Sequence, residues 1–235
     1  CLSKWQQSLD WNAIYLENHD QPRSISRFGD EAYWKESGKL LATLALTLRG
    51  TPFLYQGQEI GMLNFDFDRM RQLNDVESKN VERVLRRFHI PRKIRWKLIA
   101  RTSRDNARTP FQWTGERGAG FTDGRPWLGV NHNCASINLA QQEADPDSIW
   151  SWYKDLSALR AGSEILRRGR FVPLEMGEQV FAYRREGAGG ALTVALNFGG
   201  KPARTACRGT VVRSSAGRET FDGQLGPWEA VILDG

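Results

Sequence analysis

Asn12-Ala13-Ile14-Tyr15-Leu16-Glu17-Asn18-His19-Asp20-Gln21-Pro22-Arg23 is the stretch on which the fold turns. It opens with a short, mostly apolar run with little alternation, the pattern of a strand buried on both faces. From Glu17 onward it is mostly polar. A helix is expected from about Glu31, with Asp30 as a cap and Leu40, Leu41, Leu44, Ala45 and Leu48 as its apolar stripe. Gly50 stops it. Pro52-Phe53-Leu54-Tyr55 then forms a second buried strand, followed by a second polar cluster, Gln56-Gly57-Gln58-Glu59. The rhythm is β-α-β, with both clusters just past the C-terminal ends of parallel strands. Both α/β barrels and open α/β sheets place their chemistry on that edge. The core fixes the strand, and the next few residues inherit its position while facing solvent.

Residues from about Asn64 to Arg104 read as mostly helical and charged, and Arg104 to Asn133 as a long loop rich in Gly, Pro and aromatic residues. Ala144-Asp145-Pro146-Asp147-Ser148 opens another helix, with Ile149, Trp152, Tyr153, Leu156 and Leu159 on one face and Asp147 or Ser148 as its cap. After about Ala161 the composition changes. Phe171–Leu174, Val180–Tyr183, Leu192–Leu196, Thr210–Val212 and Ala230–Leu233 are runs of strand length. Turn signals such as Glu186-Gly187, Gly199-Gly200 and Asp222-Gly223 separate them, which predicts a small antiparallel β-domain.

Hydrophobic content of 40% and charged content of 26% are ordinary for a soluble globular protein. The net charge of +6 raises a polyanion partner. Much of the excess lies between Arg83 and Arg108, interleaved with Val84, Leu85, Phe88, Ile94, Trp96, Leu98 and Ile99. That spacing reads as the solvated face of an amphipathic helix, and no nucleic-acid-binding signature accompanies it. Cys1, Cys134 and Cys207 are far apart and fit reduced thiols in a cytosolic protein. His19, His89 and His132 are scattered, so neither a zinc site nor another cofactor is expected. No apolar run reaches membrane-spanning length and no signal peptide is visible, so no membrane partner is expected. The chain does not begin with Met, and a truncation is the simpler expectation. Nine Trp is a heavy load; indole faces stack on sugar C–H groups, although core filling accounts for most of them.

The cluster Glu17–Arg23 carries the strongest chemical signal. A carboxylate at a strand end, with an imidazole beside it and a guanidinium near, suits a reaction that builds positive charge on an anomeric carbon. The same residues also admit a plainer reading, with Asp20 capping a turn and His19 filling a core position.

Three motifs occur in order. They are Leu16-Glu17-Asn18-His19-Asp20-Gln21-Pro22-Arg23, then Gly50-Thr51-Pro52-Phe53-Leu54-Tyr55-Gln56-Gly57-Gln58-Glu59-Ile60-Gly61-Met62, then Ser103-Arg104-Asp105-Asn106-Ala107-Arg108-Thr109-Pro110-Phe111-Gln112-Trp113. Together they closely resemble the oligo-1,6-glucosidase and dextran-glucosidase branch of glycoside hydrolase family 13, within the α-amylase superfamily. Ala119-Gly120-Phe121 and Pro126-Trp127 with Val130-Asn131 continue the likeness through the chain.

The resemblance implies an α/β plus all-β fold. Residues 1–165 would be the C-terminal portion of a (β/α)8 TIM barrel, its last two strands and helices, and residues 166–235 a small antiparallel β-sandwich. It implies that Asp20 is the transition-state-stabilising carboxylate and that His19 binds sugar hydroxyls. Arg23 would lie towards the leaving-group subsite, and Arg108 would hold the non-reducing glucose. Glu59 would stand near the subsites at the end of the eighth strand. For Arg108 and Glu59 the plainer reading is a salt bridge fastening the loop to the barrel, and the two readings are compatible. Phe111, Trp113, Phe121 and Trp127 are candidate pocket walls, with core filling the expectation for more of them. In the family pattern the nucleophilic Asp, the acid/base Glu and any calcium loop precede the seventh strand. The chain is therefore expected to be the C-terminal part of a retaining enzyme that cleaves terminal α-glucosidic bonds, α-1,6 in isomalto-oligosaccharides. It would be inactive alone and complete only with an N-terminal half. The rival expectation is a non-catalytic remnant, a sugar-binding or structural module.

Overall fold

The chain, described for residues 2–235 by a computed structural model, opens with α1 (Leu2–Ser8), β1 (Ala13–Ile14), α2 (Ser24–Phe28), α3 (Trp34–Thr47) and β2 (Thr51–Pro52). Then come α4 (Val76–Arg87), α5 (Arg92–Thr102), α6 (Leu139–Ala144), α7 (Ile149–Gly162) and α8 (Glu164–Arg168). The strands β3 (Arg170–Leu174), β4 (Val180–Gly187), β5 (Gly190–Asn197), β6 (Ala203–Arg204), β7 (Thr210–Ser214), β8 (Gln224–Leu225) and β9 (Ala230–Asp234) complete it. Contacts divide the chain into two compact units. One holds the stretch ending at Leu16, Gly29–Phe53 and Ser151–Gly235; the other holds Glu17–Phe28 and Leu54–Trp150. This grouping cuts across the expected boundary at 165/166.

In the first unit β1 and β2 pair in parallel, Ala13 opposite Thr51 and Ile14 opposite Pro52. The ladder is carried by Thr51 N–H donating to Asn12 O (2.8 Å) and Phe53 N–H to Ile14 O (2.7 Å). Both strands are shorter than the runs Asn12–Leu16 and Pro52–Tyr55. Each has one neighbour among the described residues, and Pro52 brings no N–H to the ladder. Trp11, Tyr15 and Phe53 around the pair are each more than half exposed. Gly50 has φ of +137°, and a Cβ there would stand 2.2 Å from Asn12 O, so only glycine lets β2 come this close to β1.

Asp30 caps the helical entry as expected, its side chain accepting from Ala32 N–H at 2.9 Å, and Leu40, Leu41, Leu44 and Leu48 are buried. The last carbonyls of α3 would be orphans in any helix. Two buried arginines, with no carboxylate partner among the described residues, take Leu46 O and Thr47 O together with carbonyls just beyond the helix. Arg160 in α7 donates to Leu46 O (2.7 Å), Leu48 O (3.1 Å) and Gly50 O, and Arg185 in β4 donates to Thr47 O and to Gly169 O (2.7 Å). Cations suit this negative end of a helix dipole. Burial still pulls the Arg185 guanidinium down to about 10, with the neighbouring charges of Arg160 and Arg49 acting the same way. These bonds, with Tyr183 Oη against Thr47 Oγ1, explain why α3 and α7 group with the sheet. Arg160→Ala leaves three carbonyls without donors and is expected to cost about 3 kcal/mol. A urea midpoint within error of the parent, at equal m-value, would refute that role.

The five runs read from the sequence after Ala161 form one antiparallel sheet in the order β3-β4-β5-β9-β7. A second pair, β6–β8, was not foreseen, because two-residue strands leave no alternating pattern. Val180, Ala182, Ala195, Cys207, Leu225, Val231 and Leu233 make the buried core between them.

The second unit is built on α4 and α5, joined by Arg95 donating to both oxygens of Glu82 (3.2 and 3.0 Å). Phe65, Phe67, Leu73 and Ile99 form one core, and Ile60, Met62 and Phe111 another. No helix among the described residues is long and apolar enough to cross a membrane. Cys134 and Cys207 are free thiols, while Cys1 lies outside the described residues.

Candidate active site

All the site residues predicted from sequence lie in the second unit. After β1 the chain turns on Asn18, whose side-chain oxygen accepts from Asp20 N–H (2.8 Å) and whose carbonyl accepts from Gln21 N–H (3.1 Å). An Asx turn of this kind needs only a short polar side chain. It sends His19 and Asp20 outward, their side chains 69% and 44% exposed.

Arg23, expected towards a leaving-group subsite, goes the other way and is fully buried. Its guanidinium donates to Gln56 O (2.7 Å), Asn106 O (3.3 Å) and Ala107 O (3.3 Å), and it also meets Met62 Sδ at 3.7 Å. One side chain thus joins three loops. Gly57 (φ +88°) makes room, since a Cβ there would fall 2.4 Å from Met62 Sδ and 2.9 Å from Arg23 Nη1. Glu17, equally buried, lies 3.6 Å from Arg23 Nη1 and accepts from Ser24 N–H. Burial pushes its carboxyl up to about 7, against the opposing pull of Arg23 and of the Ser24 hydrogen bonds.

A carboxyl whose folded pKa is raised stabilises the fold fully below its unfolded pKa, and that contribution is lost as pH rises through the folded value. Stability should therefore decline from about pH 4.5 to above about pH 7 through this group. Glu17→Gln should flatten that decline, read as the urea midpoint against pH. Parallel curves for parent and variant would remove Glu17 from the explanation.

Residues 104–108 form a 3-10 turn capped by Ser103, whose Oγ accepts from Asp105 N–H at 3.3 Å. Its middle is anchored. Buried Asp105 accepts from Asn74 N–H (2.6 Å) and Asp75 N–H (2.8 Å), and Asn106 donates to Ala100 O (2.8 Å) and Ser103 O (3.0 Å). Its two ends, Arg104 and Arg108, converge on Asp20. Arg108 Nη2 lies 2.8 Å from Asp20 Oδ1 and its Nε donates to His19 O at 2.9 Å. Arg104 Nη1 reaches the same Oδ1 at 3.3 Å, while its Nε and Nη2 hold Asp75 Oδ1 at 3.0 and 2.6 Å. His19 Nε2 faces Asp20 Oδ2 at 3.3 Å.

Two cavities open beside this cluster. One, of about 540 Å³, is lined by Asp20, Gln21, Arg27, Asp75 and Arg104 among others. The other, of about 310 Å³, sets Tyr55, Phe111, Phe121 and Trp127 around Arg108. Trp113 does not line either, and Phe111 is largely buried. Glu59 is half-buried. Burial raises its carboxyl while the backbone N–H groups of Glu59 and Gly57 and the charge of Arg23 lower it. It forms no ion pair within 4.0 Å among the described residues. The motif reading left Arg104 and Asp75 without a role. The available signal for Arg104 was its place in the same five-residue motif as Arg108; the 3-10 turn, with three residues per turn, does not by spacing alone put the two on one face. Asp75 offered only its place as the cap of α4, accepting from Glu77 and Ser78 N–H.

A carboxylate gripped by two guanidiniums and an imidazole, beside a pocket with aromatic walls, can meet a neutral polyol that becomes cationic at one carbon. Comparison with known proteins agrees in class. The model of the alpha amylase catalytic domain matches residues 1–169, and the chain belongs to that family. Oligo-1,6-glucosidase of Halalkalibacterium halodurans is 45% identical over 91% of this chain and 39% of its own length. Glucan 1,6-alpha-glucosidase of Streptococcus pneumoniae is 37% identical over 99% of this chain and 45% of its own. The crystal structure of isomaltulose synthase from Klebsiella sp. LX3 superposes on 99% of this chain and 46% of its own, with a TM-score of 0.92 and 33% identity. The chain spans about two fifths of the length of the curated relatives it matches.

Proposed function

We propose that this chain forms part of a retaining α-glucosidase acting on terminal α-glucosidic bonds, α-1,6 in isomalto-oligosaccharides. Asp20 is the carboxylate that stabilises positive charge at the anomeric carbon as the glycosidic bond lengthens. His19 and Arg108 hold hydroxyls of the terminal glucose, with Glu59 near the same subsites. Arg23 serves as the strut that positions the loops rather than as a sugar contact. The meeting of Asp20, His19 and Arg108, with Asp20 and Arg108 separated by 88 positions in sequence, carries the reading. Retention needs two further carboxylates about 5–5.5 Å apart, one attacking and one protonating the leaving oxygen. In this reading both come from polypeptide outside these 235 residues, and the chain by itself does not turn over glycosides. β1 and β2 are then the last two strands of a barrel, with residues 166–235 as the sandwich. The exposure of Trp11, Tyr15 and Phe53 beside so short a parallel pair supports this.

The test is complementation. This chain is combined with a polypeptide covering the remaining part of the H. halodurans relative and assayed on p-nitrophenyl α-glucoside and isomaltose. Turnover by the assembly, and by neither piece alone, is expected. A folded, stoichiometric assembly without turnover overturns the proposal, and isomaltose binding in that inactive assembly would favour a sugar-binding module.

A further inference from the structure

Apart from the Asp20 cluster, the second unit carries a cleft of about 1240 Å³, larger than either cavity beside Asp20. One wall comes from the segment around Arg69, Arg71 and Asn74, and the other from Arg117, Arg125 and Trp127. Four guanidiniums therefore face one concavity, where Asp123 is the only carboxylate in the lining. Arg69 is satisfied by Asp68 at 2.8 Å. Arg71, Arg117 and Arg125 have no carboxylate within 4.0 Å among the described residues.

Like charges held on one concave surface repel, and an anion seated between them removes that cost. The backbone beside Arg117 and at Trp127 is fixed. Ala119 is a buried non-glycine residue in the left-handed region (φ 54°), and its carbonyl accepts from both Trp113 N–H (2.9 Å) and Thr114 N–H (3.1 Å). Left-handed alanine is costly and persists only where neighbouring bonds impose it. Here it fixes the turn that presents Arg117. Trp127 is two-thirds exposed, yet its main chain is pinned by Asn74 Nδ2 donating to Trp127 O at 3.2 Å. A positioned, solvent-facing indole is an apolar plate suited to the C–H face of a sugar ring.

From this juxtaposition we infer that the cleft binds a saccharide bearing an anionic group. The sugar ring lies on Trp127, and the phosphate or carboxylate lies between Arg71, Arg117 and Arg125. Trp127 also lines the smaller cavity around Arg108. A bound anionic saccharide therefore shares a wall with the proposed glucose pocket, but its recognition needs neither Asp20 nor turnover.

The experiment is calorimetry on the full chain at low ionic strength with glucose 6-phosphate, glucuronate, glucose and inorganic phosphate as separate probes. Glucose 6-phosphate or glucuronate should bind at least about tenfold more tightly than glucose and than inorganic phosphate, and the preference should shrink as salt rises. Whichever of the two binds more tightly identifies the anionic group. Arg117→Gln with Arg125→Gln, both exposed and therefore compatible with an unchanged far-UV circular dichroism spectrum, should abolish the preference. Trp127→Ala should weaken the sugar probes but not inorganic phosphate, and Asp20→Asn should leave the values for glucose 6-phosphate, glucuronate and inorganic phosphate unchanged. Equal binding of glucose 6-phosphate, glucuronate and glucose overturns the inference. So does equal binding of inorganic phosphate and the anionic sugars, or a preference that survives the double variant. Loss of binding in Asp20→Asn would transfer the ligand to the Asp20 cluster and overturn it too, whereas failed complementation leaves it standing.

Discussion

Arg23→Ala is expected to lower stability by about 4 kcal/mol, the largest single effect of any substitution around the site. Three separate costs add. The carbonyl of Gln56 loses its donor, and the buried carbonyls of Asn106 and Ala107 keep only the bonds from Thr109 Oγ1 and from the Tyr55 and Gln56 side chains. A cavity opens where a fully buried side chain stood. Glu17 loses the positive charge 3.6 Å away. Arg23→Lys should recover little, because a single ammonium cannot span carbonyls that a planar fork reaches from three nitrogens. Adding Glu17→Gln to Arg23→Ala should recover part of the loss, since the uncompensated buried carboxyl goes with it. A double-mutant cycle in urea reads this directly. Additive effects would show that the two side chains do not act on each other, and a drop of under 1 kcal/mol for Arg23→Ala would remove it as a strut.

In the complemented assembly Asp20→Asn should reduce kcat by about 10³-fold while isomaltose binding changes far less. The amide keeps the shape and can still meet His19, but it carries no charge to set against a forming oxocarbenium ion. It also leaves Arg104 and Arg108, both now directed at Oδ1, facing each other without an anion between them. Arg108→Ala should show the complementary pattern, raising KM more than it lowers kcat, because its proposed role is to hold the sugar in both ground and transition states. Rates for Asp20→Asn within a factor of two of the parent would refute the catalytic role and leave the cluster as a loop fastening.

The sequence alone carried what is repeated locally. The strands after Ala161 were legible because apolar runs between glycine turns leave few alternatives; each reappears within a residue or two, except that β4 runs on four residues through Glu186-Gly187, which the sequence marks as a turn. Asp30 as a cap and Leu40 to Leu48 as a buried face follow from spacing along one helix. The ordered motifs also brought His19, Asp20 and Arg108 forward as one group.

Only the tertiary structure decided which way each charged side chain faces. Arg23 and Arg108 look alike in sequence, yet one is buried under carbonyls from Gln56 and Asn106 while the other closes on a carboxylate 88 positions away. The same holds for Arg104 and Asp75, for the two arginines on the end of α3, and for the guanidinium-lined cleft beside Trp127. Local pattern records propensity over a few residues. The partner that satisfies a guanidinium is set by chain that returns from far away, and no spacing rule encodes that return.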